Sequence, residues 1–272
     1  MALSLAAGDV FLFAVGGGVP DMETCIMLSG GTRAPGDEGA PPYVADARVP
    51  VDVWRLPSAQ ERAILWSQAA PPAHRGIGVA RILSPAMVRL CQAQDRLFSR
   101  TDDAATLDHP LTRLVLEMIA RRGIPVRQPH SARKGRDEPG RLTMTMAVHE
   151  NARVGLHFDR WDALPLEDLD TATNRILINL GPSDRYFLCI NHSAANMAFL
   201  LRQAGMEMPP DVESVGKAFL ASFPDYPVMR LRLRPGEAYI APTENLLHDG
   251  SSAGVDNANT YLSIRGRLDF AP

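Results

Sequence analysis

The sequence is poor in cysteine, has no long apolar run and carries no strong excess of either charge. Each shortage removes a class of protein. Three cysteines, Cys25, Cys91 and Cys189, are odd in number and far apart. That argues against a disulfide framework or a zinc ribbon and fits a reducing cytosol, so a cytoplasmic protein is expected. No stretch approaches the roughly 18 apolar residues of a spanning helix. The apolar segment 10–15 has no Lys or Arg before it, the first being Arg33, so it reads as a buried strand rather than a secretory signal. A net charge of −3 lacks the basic footprint of a general nucleic-acid binder. Internal repeats and low-complexity tracts are also missing. The expectation is a soluble protein with neither membrane nor nucleic acid as partner.

What is present is enough apolar material for a substantial core: 46 % of 272 residues are hydrophobic. Residues 29–50, rich in Gly, Pro and acidic side chains, read as a long surface loop. Ser58 with Glu61 three positions on forms a capping box that opens a helix over 58–69. Ser84-Pro85 opens a second helix to about Arg100. His109-Pro110 leads into a third, whose apolar face is Leu111, Leu114, Val115, Met118 and Ile119, and Gly123 ends it.

From residue 142 the apolar period changes from about 3.6 to 2. Segments 142–148, 175–180, 186–190, 228–234, 238–241 and 260–268 read as strands, with a helical insertion at 193–204. The basic stretch 127–136 reads most simply as a solvated loop, or more sharply as a flap attracting an anionic substrate. The predicted fold is mainly β with N-terminal helices (α+β), a single domain over 1–272. Residues 1–140 give helical support and loops; residues 141–272 form an antiparallel core that closes as a barrel or a two-sheet jelly roll.

The chemistry-bearing residues are His157-Phe158-Asp159 and His248, which follows Asp159 by 89 positions. Residues i and i+2 of extended chain point the same way, so His157 and Asp159 can face one metal while Leu156 and Phe158 pack oppositely. His248, at a strand end before Asp249-Gly250-Ser251, could complete a three-ligand face. Two histidines and one carboxylate with positions left open favour iron over the closed tetrahedron typical of structural zinc. On the last strand Tyr261, Ser263, Arg265 and Arg267 share one parity. A buried arginine among them calls for a carboxylate, which its planar fork can grip bidentately.

On these residues the C-terminal half, roughly 140–270, resembles the iron(II)/2-oxoglutarate-dependent dioxygenases. The stretch 235–242 ahead of the distal histidine is similar to the family as well. The resemblance implies a double-stranded β-helix with His157, Asp159 and His248 as metal ligands. It implies Arg265, helped by Ser263, as the grip on the distal carboxylate of 2-oxoglutarate. Arg265 stands 17 residues after His248, a long spacing for the family, and Arg267 remains open for the same role. Iron(II), 2-oxoglutarate and oxygen would be the cofactors. The substrate would be a small molecule, an amino acid or natural-product intermediate. Because Asp159 is present, hydroxylation, desaturation or ring formation is expected rather than halogenation. Other classes remain as alternatives: a cupin-type metal-dependent isomerase or epimerase, and a non-catalytic metabolite-binding jelly roll.

Competing motifs are weaker. Gly250-Ser-Ser252-Ala-Gly254 matches a nucleophile elbow, but no histidine follows His248, as the hydrolase order requires. Gly16-Gly-Gly18 lacks dinucleotide spacing. His149 is a conceivable supporting residue behind the metal ligands, and Asn179 and Tyr186 could bond the cosubstrate or serve the turn and core. Trp161, just after the metal motif, could wall the pocket.

Overall fold

The computed structural model describes residues 3–16, 24–97, 107–124, 126–147 and 149–268. The first half supplies strands β1 (Phe11–Ala14), β2 (Ile26–Ser29), β3 (Thr32–Arg33), β4 (Tyr43–Pro50) and β5 (Trp54–Arg55). Helix α1 (Ala59–Leu65), β6 (Gly76–Arg81), α2 (Pro85–Leu97), α3 (Pro110–Ala120) and β7 (Val126–Asp137) follow. The second half runs β8 (Met146–Ala147), β9 (Ala152–Gly155), β10 (Asn174–Asn179), β11 (Arg185–Ser193), α4 (Ala194–Gln203) and α5 (Val212–Ser222). It ends with β12 (Met229–Leu233), β13 (Glu237–Ala241), β14 (Leu246–Ser251) and β15 (Asn259–Leu268). The protein is mostly sheet with several helices.

Two sheets dominate, ordered β1-β6-β13-β10-β15-β7 and β14-β11-β12-β2-β5, with a smaller set β3-β4-β9-β8 beside them. The chain passes between the two large sheets as it proceeds. β10 lies in the larger, β11 and β12 in the smaller, β13 in the larger, β14 in the smaller and β15 in the larger. The sheets meet face to face where Phe187 of β11 stacks on Tyr239 of β13, ring centres 3.9 Å apart.

Alternation assigns the two sides of the larger sheet. Ile176, Ile178, Ala238, Ile240, Leu262 and Ile264 point outward into an apolar layer with Val88, Val115 and Ile119 of α2 and α3. Their odd-numbered neighbours point inward, where register sets Ala241 beside Arg175 beside Arg265, and Tyr239 beside Leu177 beside Ser263.

The helix starts follow the local signals. Ser58 and Glu61 make the capping box of α1, and His109 caps α3 with Pro110 at its first turn. α2 is described only to Leu97, so its expected end near Arg100 lies outside the described residues, as do Gly17, Gly18 and Val148. α5 was not expected, although Asp211 caps it and Val212, Val215, Phe219 and Leu220 form its buried stripe.

Three expectations need correction. Residues 29–50 are not one loop: β4 pairs with β3 and, in parallel, with β9. Flanking Gly and Pro dominate the composition there, whereas distant partners fix the strand. The basic stretch 127–136 is not a loop but most of edge strand β7, paired along β15, and its Lys and Arg side chains suit an edge that must not recruit another strand. Segment 142–148 is mostly not a strand. The backbone N–H groups of Met144 and Thr145 donate to the Asp249 carboxylate, at 3.3 and 3.1 Å, in place of a ladder. The N-terminal part also supplies strands as well as helices, since β1 and β6 extend one large sheet and β2 and β5 the other.

Candidate metal centre

β9 ends at Gly155, whose φ of +74° and close approach to the Arg48 carbonyl leave no room for a side chain. The chain emerges as Leu156-His157-Phe158-Asp159, with Leu156 and Phe158 buried in the core between the sheets. His157 then pairs with His248 of β14 as an antiparallel bridge. His157 N–H donates to the His248 carbonyl at 3.1 Å, and His248 N–H donates back at 2.9 Å. This bridge is what joins two residues 91 positions apart in sequence.

The ligand atoms of His157, Asp159 and His248 lie within 4.8 Å of one another and can hold a metal ion. His157 Nε2 is 3.9 Å from one Asp159 oxygen and His248 Nε2 is 3.8 Å from the other. Each imidazole is fixed from behind. His157 Nδ1 donates to the Gly155 carbonyl and His248 Nδ1 to the Leu246 carbonyl, both at 2.9 Å. The lone pairs are thereby left on the two Nε2 atoms, which face Asp159, the tautomer that metal ligation requires. Burial pushes His248 down to about 3, so it is a neutral ligand across the physiological range. For Asp159 burial acts upward, but the charge of Arg175 beside it holds the carboxyl well below the usual range. The donor set fits a divalent transition metal.

Behind the ligands lies a dense ionic network. Asp159 Oδ2 is 2.8 Å from Arg175 and 3.1 Å from Arg265. The second terminal nitrogen of Arg265 donates to Thr173 Oγ1 at 3.1 Å and to the Glu244 carboxylate. Glu244 also accepts from the backbone N–H groups of Trp161 and Asp162. Asp162 in turn accepts from Thr173. The loop after the metal motif is thus laced to β10, to β15 and to the turn before β14. Asp249, fully buried, braces the other side: its Oδ2 stands 4.0 Å from His157 Nδ1.

Arg265 is buried, while Arg267 is exposed. Between them the register with β7 shifts, Arg265 pairing with Ser131 but Arg267 with Arg127, so Arg267 lies at the open end of the sheet. Ser263 points inward between Tyr261 and Arg265. Trp161 is mostly exposed, its ring 5.7 Å from the Arg265 guanidinium. Asn179 is spent on the turn after β10, donating to the Ser183 and Leu233 carbonyls. Tyr186 stacks on Arg230 of β12, and His149 sits exposed in a turn. Ser252 donates to the Glu138 carbonyl at 2.6 Å, the role of a loop residue.

A cavity of about 610 Å³ opens beside His157 and Asp159. His157, Asp159 and Leu247 form its floor, β4 one wall and α5 another. Lys217 of α5 joins the walls by pairing with Asp46 and Glu213, both at 2.6 Å. Sequence reasoning missed β4 and α5 as pocket walls, and it missed Arg175, Glu244 and Asp249. Arg175 was within reach, because it shares strand parity with Leu177 and Asn179.

No family model matches the chain, and no curated protein matches its sequence. Solved structures similar to it include AviO1 from Streptomyces viridochromogenes Tue57, with 17 % identity over 71 % of this chain and 89 % of that one and a TM-score of 0.42. Another is the non-heme alpha-ketoglutarate-dependent carbocyclase SnoK from nogalamycin biosynthesis, with 18 % identity over 70 % of this chain and 77 % of that one and a TM-score of 0.41. So slight a likeness assigns nothing to this chain, and the chemistry stands on the site itself. No helix among the described residues is long and apolar enough to cross a membrane.

Proposed function

We propose that this protein is an iron(II)- and 2-oxoglutarate-dependent oxygenase acting on a small molecule, built on a double-stranded β-helix. One observation carries the reading. Three side chains of the His/Asp/His type converge, with both imidazoles committed through Nδ1, and two of them, His157 and Asp159, line a cavity. Such a set leaves coordination positions for a cosubstrate and oxygen, which a closed tetrahedral site does not. The strand alternation between two sheets is the path a double-stranded β-helix follows.

When bound, iron and 2-oxoglutarate supply an oxidant able to attack an unactivated C–H bond. The chain's own groups do the rest. His157, Asp159 and His248 would hold the metal. Arg175 and Arg265 keep the Asp159 carboxylate ionised and aimed. Glu244 and Asp162 fix the loop that carries Trp161 beside the site. The cavity is of small-molecule size, and its mixed lining of apolar and charged side chains suits a compact substrate such as an amino acid or a natural-product intermediate. Asp159 occupies the position a halide would need, so hydroxylation, desaturation or cyclisation is the expected outcome.

The test is anaerobic addition of iron(II) and 2-oxoglutarate. A visible charge-transfer band in the wild type, absent in Asp159→Ala and His248→Ala, supports the reading; no band in the wild type overturns it. Substrate-stimulated succinate release separates an oxygenase from an isomerase or a binding protein.

A further inference from the structure

The interior between the two sheets holds two groups of arginine, in which Arg265 and Arg185 are buried and Arg175 half-buried. They differ in what already neutralises them. At the metal end, Arg175 and Arg265 meet Asp159, and Arg265 also meets Glu244, with Asp162 3.7 Å away. Both terminal nitrogens of Arg265 are thus engaged by the chain's own groups, and a further anion would face three carboxylates there.

Arg185, at the start of β11, is different. It is 6 % exposed, and it pairs with Asp137 through Nε at 2.6 Å. Arg175 and Arg265 each leave a buried Nε without a hydrogen-bond partner, whereas in Arg185 the orphan is a terminal nitrogen, Nη1, a costly state for a cation that no ligand relieves. The guanidinium lies over the Tyr261 ring at 5.0 Å. Gly250 makes space for it and for Met144: a Cβ there would stand 2.6 Å from both Arg185 Nη2 and Met144 Cε. Tyr239, which bonds Arg175, is near enough that Arg185 acts on its hydroxyl as well.

The position relative to the metal ligands follows from register. Cys189 pairs with His248 and Phe187 with Gly250, so Gly250 lies two residues, roughly 7 Å, along β14 from His248 on the same inward side. Tyr261 and Ser263, inward on the facing sheet, are only half-buried. A cationic fork therefore stands one short dicarboxylate's reach from the metal ligands.

Resting on the oxygenase reading above, we propose that Arg185, and not Arg265, receives the distal carboxylate of the 2-oxo acid, with Arg265 acting as a positioning residue for Asp159. Arg185 Nη1 would donate to that carboxylate while Asp137 holds Nε, and Tyr261 would underlie the pair.

The test compares two 2-oxo acids that differ only at the far end. 2-Oxoglutarate and 2-oxopentanoate, which has a methyl group in place of the distal carboxylate, are titrated anaerobically into the iron(II)-loaded protein. The wild type is expected to prefer 2-oxoglutarate about 10- to 100-fold, the range for one charge-assisted pair. Arg185→Gln should abolish that preference and lower Tm, because Asp137 loses its partner, while leaving the iron(II) affinity of the folded protein near wild type. Arg265→Gln should keep the preference and weaken iron(II) binding. Retained preference in Arg185→Gln, or lost preference in Arg265→Gln with iron bound, overturns the proposal. Should Arg185→Gln fail to fold, Gly250→Ala, which crowds Nη2 with the arginine still present, must lower the preference; an unchanged ratio overturns the proposal equally. If the loaded wild type binds neither acid, the oxygenase reading itself fails, which is a different result from binding both alike.

Discussion

The two faces of the larger sheet come from the same strands, one residue out of step, yet they do opposite work. Outward, Ile176, Ile178, Ile240, Leu262 and Ile264 meet two helices in an apolar layer. Inward, Arg175, Tyr239, Tyr261, Ser263 and Arg265 meet the metal ligands and the smaller sheet. The first face gains stability from area removed from water. The second buries charge, which yields little net stability and is tolerated where a partner meets each group. A period of two is enough to separate scaffold from chemistry, and a one-residue slip would exchange them.

Substitutions on the two faces should therefore fail in different ways. The largest effect is expected for Arg265→Leu. It strands Asp159 and Glu244 without their shared cation and should cost about 4 kcal/mol, seen as a lower Tm together with weakened iron(II) binding. A drop in Tm with normal iron affinity would show that the inward network is scaffold only. Ile264→Ala, its sequence neighbour on the other face, should cost about 3 kcal/mol. Here the protein that remains folded should bind iron(II) normally in equilibrium dialysis. Loss of metal affinity would erase the contrast between the faces. Ser263→Ala should leave Tm unchanged and weaken 2-oxoglutarate binding about fivefold, the size of one neutral hydrogen bond. An unchanged Kd would remove Ser263 from the site. Arg267→Ala, at the exposed end of the same strand, should stay within about 0.5 kcal/mol in thermal melts and leave binding untouched.

Local pattern carried far along the chain. The capping box at Ser58 and the His109-Pro110 start are read from adjacent residues and are found where expected. The strands over 175–180, 186–190, 228–234, 238–241 and 260–268 are present to within a few residues at each end, because each alternates strongly enough to be seen alone. Failures occurred where the partner is distant. β7 looks like a basic loop unless β15 is alongside, and β4 looks like a Gly/Pro-rich linker unless β9 is. Segment 142–148 alternates as a strand should, but the Asp249 carboxylate takes up two of its N–H groups.

By itself the sequence determined the residue types of the site and the parity that sets His157 with Asp159 and Tyr261 with Ser263 and Arg265, because alternation is a property of neighbouring residues. Only the tertiary structure decided which charges meet. The His157–His248 bridge sets the three ligand atoms together, and the commitment of each Nδ1 to a carbonyl selects the tautomer. The register shift beside β7 leaves Arg267 outside. Above all, the pairing of Arg265 with two carboxylates, against the unpartnered Nη1 of Arg185, cannot be read from strands whose partners lie tens of residues away. Charge neutralisation depends on distance in space, and sequence spacing carries almost none of that information.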